Sequence, residues 1–319
     1  MGEKLDMTLA ILNGLVGDHL VRTDNPLATE LGFVQDGEPE PAEVACAALA
    51  APTPKVVVLV HGLMCTETIW RMDDGSDYGS RLARDLGFTP LYVRYNSGRP
   101  IADNGAALSA ALADLVRVYP APIEELLLLG YSMGGLLVRS ACHTAKLGDL
   151  GWLGLVRRAI YVGTPHRGAP LERAGRVLTR FLRAVPDPYT RLAADLGDLR
   201  SAGVKDLGDA DLTHEDRART RERARFSLRD PRHPVPLLPD IEHYLAAGTL
   251  HGDPRVALYF GDAMVPVPSA TFDGAARGGG DGPALALAPE RVRVFEGYSH
   301  VRLAHDPAVY DRIKAWCET

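Results

Sequence analysis

The 319-residue sequence is poor in cysteine and carries no excess of basic charge. Its four cysteines are widely spaced and form no CxxC pair, so neither a disulfide framework nor a zinc knuckle is expected. The 35 basic and 41 acidic side chains leave a net charge of −6, which argues against a nucleic-acid-binding surface. These features exclude several classes of protein without naming an activity.

Long apolar runs are also absent, and no stretch of about 18 consecutive apolar residues predicts a transmembrane helix. Near the N terminus, the apolar run Leu9–Val16 is interrupted by Asn13 and Gly14, and no A-x-A cleavage site follows it. We therefore expect no signal peptide and a cytoplasmic location. Residues 1–50 are hard to interpret: Leu9–Val21 and Leu31–Val34 are compatible with a helix or with edge strands.

Short apolar runs alternate with amphipathic stretches along the chain. The runs predict strands at Val56–Val60, Leu91–Tyr95, Glu125–Leu129, Ala159–Val162, Val256–Phe260 and Val292–Phe295. Helical patterns cover Tyr78–Leu86, Gly105–Val118, Gly134–Ala145 and Pro307–Trp316. This alternation predicts an α/β fold with a mostly parallel central sheet and helices on both faces.

One interval interrupts the alternation. Residues 166–253 contain helical patterns at Leu171–Val185 and Tyr189–Leu199 and a basic run at Arg217–Arg225, but no convincing strand. We predict that residues 166–253 form a helical cap, or lid, inserted into one catalytic core. That core would comprise residues 1–165 and 254–319, with residues 1–50 packing on the sheet. The basic run is most simply a solvated helix face.

The most informative motif is the sequence GYSMG at residues 130–134, which directly follows one predicted strand and directly precedes a predicted helix. In a nucleophile elbow, a serine occupies a sharp strand-to-helix turn, and the flanking glycines prevent side-chain clashes. Ser132 would be the nucleophile, with Gly130 and Gly134 as those glycines. A glycine-rich turn without catalytic meaning is the simpler alternative, but the strand and helix on either side favour the elbow.

A nucleophilic serine requires donors for the oxyanion that forms during acyl transfer. The backbone N–H of Met133, which follows the serine, is one candidate. Leu63 supplies the second, because it follows the predicted strand 56–60 at the same edge of the sheet. Gly62 would permit close approach of the backbone, and His61 is expected to order this loop rather than to transfer protons.

The general base should be a histidine after the last strand, and the acid should lie between serine and base in the sequence. Of ten histidines, His300 has this position. Asp262, which follows the predicted strand 256–260, is the expected acid. Glu296 is an alternative acid because it follows the last strand at the same edge. A turn-capping role for Asp262 is also possible.

At these residues the chain resembles the α/β-hydrolases, in particular the esterase and lipase branch that includes bacterial triacylglycerol lipases and inositol deacylases. The resemblance spans about residues 54–319. It depends on the motifs HGL (61–63), GYSMG (130–134), GTPHRG (163–168), GDAMVP (261–266) and SH (299–300). The GTPHRG segment is the most characteristic of the branch. The resemblance implies that this segment shapes the floor of the site and that His166 is structural.

We therefore predict a serine hydrolase that cleaves small-molecule or lipid-like carboxylic esters through an acyl-enzyme and a triad of Ser132, Asp262 and His300. No cofactor is expected, and no HxH, HExxH or acidic cluster predicts a metal site. A thioesterase or amidase with the same triad remains open. So does a catalytically silent, hydrolase-like binding protein. The sequence does not indicate the oligomeric state.

Overall fold

The computed structural model describes residues 2–168, 201–216, 235–250, 262–271 and 287–319. Eight strands in these ranges form one sheet with the order β2-β1-β4-β3-β5-β6-β7-β8. The strands are β1 (Gly32–Gln35), β2 (Glu38–Glu40), β3 (Lys55–Val60), β4 (Thr89–Arg94), β5 (Glu125–Tyr131), β6 (Val156–Val162), β7 (Glu242–Thr249) and β8 (Val292–Glu296). β1 pairs antiparallel with β2 and β4, whereas the pairs from β4 through to β8 are parallel. The predicted α/β fold is confirmed.

From β3 onward, the described strands alternate with helices along the chain. The described helices are α1 (Gly2–Arg22), α2 (Ala42–Ala47), α3 (Tyr78–Leu86), α4 (Ile101–Val118), α5 (Met133–Gly148), α6 (Ala202–Asp209), α7 (Val267–Ala270) and α8 (Pro307–Cys317). Short 3-10 helices cover Glu67–Trp70, Gly151–Leu155, Pro289–Arg291 and Val301–Ala304. No helix in the described ranges is long and apolar enough to cross a bilayer.

Alternate side chains of the central strands face the two helical layers. On β3, Val56, Val58 and Val60 belong to the apolar cluster that includes residues of α4 and α5. Val57 and Leu59 belong to the cluster that includes residues of α3 and α8. Because both faces are covered, β3 is apolar from Val56 to Val60, as buried parallel strands generally are.

The prediction that residues 166–253 form a helical cap without a strand is wrong for the end of this interval. Residues Glu242–Thr249 form β7, which pairs with β6 on one side and β8 on the other. Its sequence, EHYLAAGT, contains small residues and no clear alternation, so the sequence alone gave no strand signal. His243, the second residue of β7, therefore lies within the sheet and not in a helical cap. The predicted strand at Val256–Phe260 and the predicted helices at Leu171–Val185 and Tyr189–Leu199 lie outside the described residues, as does the basic run.

The N-terminal helix packs beside the carboxyl edge of the sheet. α1 has non-helical backbone angles at Val16 (φ −135°, ψ 17°). Near its start, Asp6 lies 3.6 Å from the guanidinium of Arg94, the last residue of β4. Its middle turns contact Met64 in the loop after β3 and Val204 of α6. The helical alternative for Leu9–Val21 is thus the correct one. Leu31–Val34 overlaps β1, which is a strand but not an edge strand, because it pairs with β2 on one side and β4 on the other.

Candidate active site

Ser132 lies at the turn between β5 and α5, with backbone angles of φ 53° and ψ −124°. A non-glycine residue rarely adopts a positive φ, and such strain is typical of functional sites. The N–H of Ser132 donates to the carbonyl of Val162 at 2.8 Å, which ties the turn to the end of β6. The surrounding sheet therefore holds the serine in an unfavourable conformation.

The glycines around Ser132 are required by close packing. A Cβ atom at Gly134 would overlap the carbonyl oxygens of Val60 and His61, and one at Gly130 would lie 2.5 Å from Cα of Gly135. α5 can therefore begin directly against the loop after β3. The GYSMG pattern agrees with this steric demand, because a larger residue at either glycine would move the turn away from the sheet.

Ser132, His300 and Asp262 form a hydrogen-bonded series. Nε2 of His300 lies 2.9 Å from Oγ of Ser132, and Nδ1 of His300 lies 2.7 Å from Oδ2 of Asp262. All three residues are buried, with 5 %, 3 % and 1 % of their surfaces exposed. If Nδ1–H donates to the carboxylate, Nε2 is left as an acceptor for the serine hydroxyl. The three residues chosen from the sequence are thus brought together.

Asp262 is held by the loop that follows it as well as by His300. Its Oδ1 accepts from the backbone N–H groups of Met264 (3.0 Å) and Val265 (2.8 Å). The aspartate therefore caps a turn and contacts the histidine at the same time, so the two roles considered from the sequence are compatible. Glu296, the alternative acid, is exposed at the end of β8.

The loop after β3 lies against Ser132. A Cβ atom at Gly62 would lie 3.0 Å from Cβ of Ser132. The backbone N–H groups of Leu63 and Met133 have no hydrogen-bond partner among the described residues. The Met133 N–H is also in the first turn of α5, where the helix dipole favours negative charge. Two uncommitted donors are therefore available near the serine.

His61 is fully buried at the end of β3. Its Nδ1 lies 2.8 Å from the carbonyl oxygen of Gly62, and its ring stacks on Tyr95 with a centroid distance of 4.4 Å. Burial lowers the pKa of His61 to about 4, so the ring is neutral at physiological pH. These contacts favour the loop-ordering role that we expected for His61.

His166 follows β6 in the chain and lies in a buried polar cluster that the sequence did not predict. Its Nδ1 is 3.3 Å from Nη1 of Arg139 on α5, and its ring packs edge-on against Tyr161. Burial, together with the charge of Arg139, lowers the pKa of His166 well below its usual range. Arg139 also donates to the carbonyl of Val235 at 2.6 Å. The cluster ties α5 to the segment before β7, as expected for a structural histidine.

The sequence did not identify two further residues that lie beside His300. The hydroxyl of Tyr131 donates to the carbonyl of His300 at 3.3 Å, and the two rings lie 5.1 Å apart. Gly163, with φ +62°, leaves room for the imidazole, because a Cβ there would lie 3.0 Å from Cε1 of His300. Gly163 is the first residue of the GTPHRG segment, and this motif could have indicated that Gly163 lies close to the site.

In the described part of the chain, no group of three or more His, Cys, Asp or Glu residues could hold a metal ion.

Comparisons with known proteins give one family match and several similar solved structures. The sequence model of the alpha/beta hydrolase family matches residues 57–312. A solved structure of a lipase from Bacillus licheniformis, in its mature form, is similar with a TM-score of 0.51 and 18 % identity, covering 84 % of this chain and 94 % of that chain. An esterase from Pyrococcus furiosus is similar with a TM-score of 0.45 and 14 % identity, covering 83 % of this chain and 81 % of that one. No curated protein sequence matches significantly.

Proposed function

The chain belongs to the alpha/beta hydrolase family, and we propose that it is a serine hydrolase that cleaves carboxylic esters through an acyl-enzyme. The observation that carries this proposal is the hydrogen-bonded series from Asp262 through His300 to Ser132. A serine hydroxyl is a weak nucleophile unless an adjacent base accepts its proton, and a third group must orient that base. The series supplies all three parts.

In the first step, Oγ of Ser132 attacks the acyl carbon of the ester while Nε2 of His300 takes its proton. The buried carboxylate of Asp262 stabilises the imidazolium and keeps Nδ1 protonated. His300 then gives the proton to the alkoxide oxygen as the carbon–oxygen bond breaks and the alcohol leaves. The acyl group remains on Ser132 as an ester.

The oxyanion of each tetrahedral intermediate would be stabilised by the N–H groups of Leu63 and Met133. Both donors are fixed by the backbone, so little reorganisation is required as charge develops. Loss of one such donor costs about 10²–10³ in kcat in comparable sites. Water then attacks the acyl-enzyme with His300 again as the base, which releases the acid and regenerates Ser132.

The direct test is turnover of p-nitrophenyl esters by the wild-type enzyme and by Ser132→Ala. We expect the variant to lose turnover while its circular dichroism spectrum and melting temperature stay close to those of the wild type. Ser299→Ala is a matched control, because Ser299 is exposed and precedes His300 in the sequence. Undiminished turnover by Ser132→Ala would overturn the assignment of the nucleophile.

A fluorophosphonate probe tests activation of the serine independently of the substrate. Rapid labelling of the wild type, absent in Ser132→Ala, is expected for an activated nucleophile, whereas absence of labelling would indicate a silent binding protein. A panel of matched esters, thioesters and amides with acyl chains from acetate to palmitate would then identify the leaving group. Faster turnover of thioesters or amides than of esters would overturn the ester assignment but not the triad.

A further inference from the structure

The loop that carries the proposed Leu63 donor contains a residue with positive φ. Met64, directly after Leu63, has φ 58°. Only glycine adopts this region readily, so the contacts of Met64 must hold it there. Its N–H donates to Oγ of Ser97 at 3.0 Å, in the loop after β4. Ser97 therefore orients the peptide between Leu63 and Met64, which directly follows the peptide that carries the Leu63 N–H.

The side chain of Met64 is held by the N-terminal helix. It is 3 % exposed and packs against Ile11 and Leu15 of α1 and Val204 of α6. Gly14 lies in the same part of α1, and a Cβ atom at this position would overlap Cγ of Met64. Gly14 thus provides the space that the methionine side chain occupies.

α1 is itself anchored on both sides of this contact. Oγ of Ser201 donates to the carbonyl of Gly14 at 2.7 Å, and Nδ2 of Asn96 donates to the carbonyl of Gly17 at 3.1 Å. Asp6 pairs with Arg94 nearer the start of the helix. Because α1 is fixed at these points, a change at Gly14 is expected to move Met64 rather than the helix.

From these contacts we infer that Met64, seated against Gly14 of the N-terminal helix, is a positioning residue for the oxyanion-binding N–H of Leu63. α1 is then part of the machinery that stabilises the transition state, although it contributes no atom to the reacting groups. The inference rests on the proposed function. It requires displacement of Met64 to lower kcat with little change in KM, because the oxyanion exists only after attack on the acyl carbon.

The test is Gly14→Ala, with Gly2→Ala as the matched control on the same helix, because a Cβ at Gly2 meets no atom within 4 Å. We expect Gly14→Ala to lower kcat about tenfold or more. This is less than the loss of about 10²–10³ that follows removal of a whole oxyanion donor, because the N–H of Leu63 is displaced and not removed. KM should change less than about twofold. Gly2→Ala should match the wild type in both constants. An unchanged kcat in Gly14→Ala would overturn the inference.

A Met64→Ala background separates the specific contact from general destabilisation of α1. Met64→Ala removes Cγ and should itself lower kcat, because the N–H of Leu63 loses its support. In that background Gly14→Ala should have no further effect, because the atom that it would displace is gone. An equal fall in kcat in both backgrounds would overturn the inference and indicate a purely structural role for Gly14.

Hydrogen exchange distinguishes failure of this inference from failure of the proposed function. Exchange of the amides of residues 61–65, followed by mass spectrometry, should be faster in Gly14→Ala than in Gly2→Ala. Unchanged exchange would overturn the positioning contact whether or not the enzyme hydrolyses esters. Faster exchange with unchanged kcat would overturn only the catalytic consequence. Absence of ester turnover by the wild type would overturn the proposed function, and with it the catalytic role of Met64.

Discussion

Asp262 is hydrogen-bonded to both the imidazole and the backbone of His300. The carboxylate lies 2.7 Å from Nδ1, and the carbonyl oxygen of Asp262 accepts from the N–H of His300 at 3.1 Å. The loop after β8 and the loop that contains Asp262 are therefore joined at two points. This double link fixes the position of the ring as well as its tautomer.

The first prediction concerns the tautomer of His300. Asp262→Asn keeps an oxygen that can accept from Met264 and Val265, so the fold should survive. The amide no longer favours protonation of Nδ1, and kcat for p-nitrophenyl esters should fall by about 10⁴. Steady-state kinetics and a thermal melt would check this. A fall of less than tenfold would contradict the role of Asp262 and would direct attention to Glu296.

The second prediction concerns the space beside the imidazole. Gly163→Ala should displace His300, because the new Cβ would lie 3.0 Å from Cε1 and 3.1 Å from Nδ1. We expect kcat to fall at least about tenfold, since a misplacement of about 1 Å can cost 10² in rate. Gly87→Ala is the control: Gly87 also has positive φ (+71°), but no atom lies within 4 Å of its Cβ position. Both variants should lose stability, and equal kcat values would refute the steric argument.

The third prediction concerns stability and pH. His243 is buried between the hydroxyl of Tyr161 (3.1 Å) and the carbonyl of Leu238 (3.0 Å), and burial lowers its pKa from 6.5 to about 4. As the pH falls below 6.5, the unfolded chain binds the proton before the folded chain does. The contribution of the neutral ring to the free energy of unfolding is therefore fully present above about pH 6.5. About 3 kcal/mol of this contribution is lost as the pH falls to 4.

His243→Gln keeps a donor for Leu238 and cannot titrate. Its free energy of unfolding, measured with urea at several pH values, should fall less between pH 7 and pH 4 than that of the wild type. The comparison isolates His243 because the other buried histidines titrate in both proteins. Parallel pH curves for the two proteins would contradict the prediction.

The fourth prediction concerns a buried ion pair at the start of β5. The guanidinium of Arg158 on β6 contacts Glu125, and their side chains are only 3 % and 11 % exposed. Glu125→Gln should destabilise the fold by about 3 kcal/mol, because it leaves the arginine charge buried without its main partner. The exposed pair of Glu43 and Arg117 is the control, and Glu43→Gln should cost less than about 1 kcal/mol. Similar urea midpoints for the two variants would contradict this reasoning.

Local sequence signals predicted the elements that position Ser132 and His300. The helix predicted at Tyr78–Leu86 has those bounds in the structure because Asp77 caps its start and Gly87 ends it in the left-handed region. The turn from β5 to α5 was equally predictable, because a run of four leucines, a glycine-flanked serine and a helical pattern follow each other directly. In these two places, residues that are adjacent in the sequence determine the local structure.

The sequence by itself determined the fold class, the order of serine, acid and base along the chain, and the turn that holds Ser132. The tertiary structure decided which acid meets His300, where β7 lies, and what covers the loop after β3. β7 forms because β6 and β8 supply hydrogen-bond partners on both sides. Within β7, Gly248 leaves room for Asp262, because a Cβ atom at Gly248 would lie 3.1 Å from Cβ of Asp262. The contact between Gly14 and Met64 joins residues 50 positions apart. Such contacts depend on steric fit between distant segments, which no local pattern in the sequence encodes.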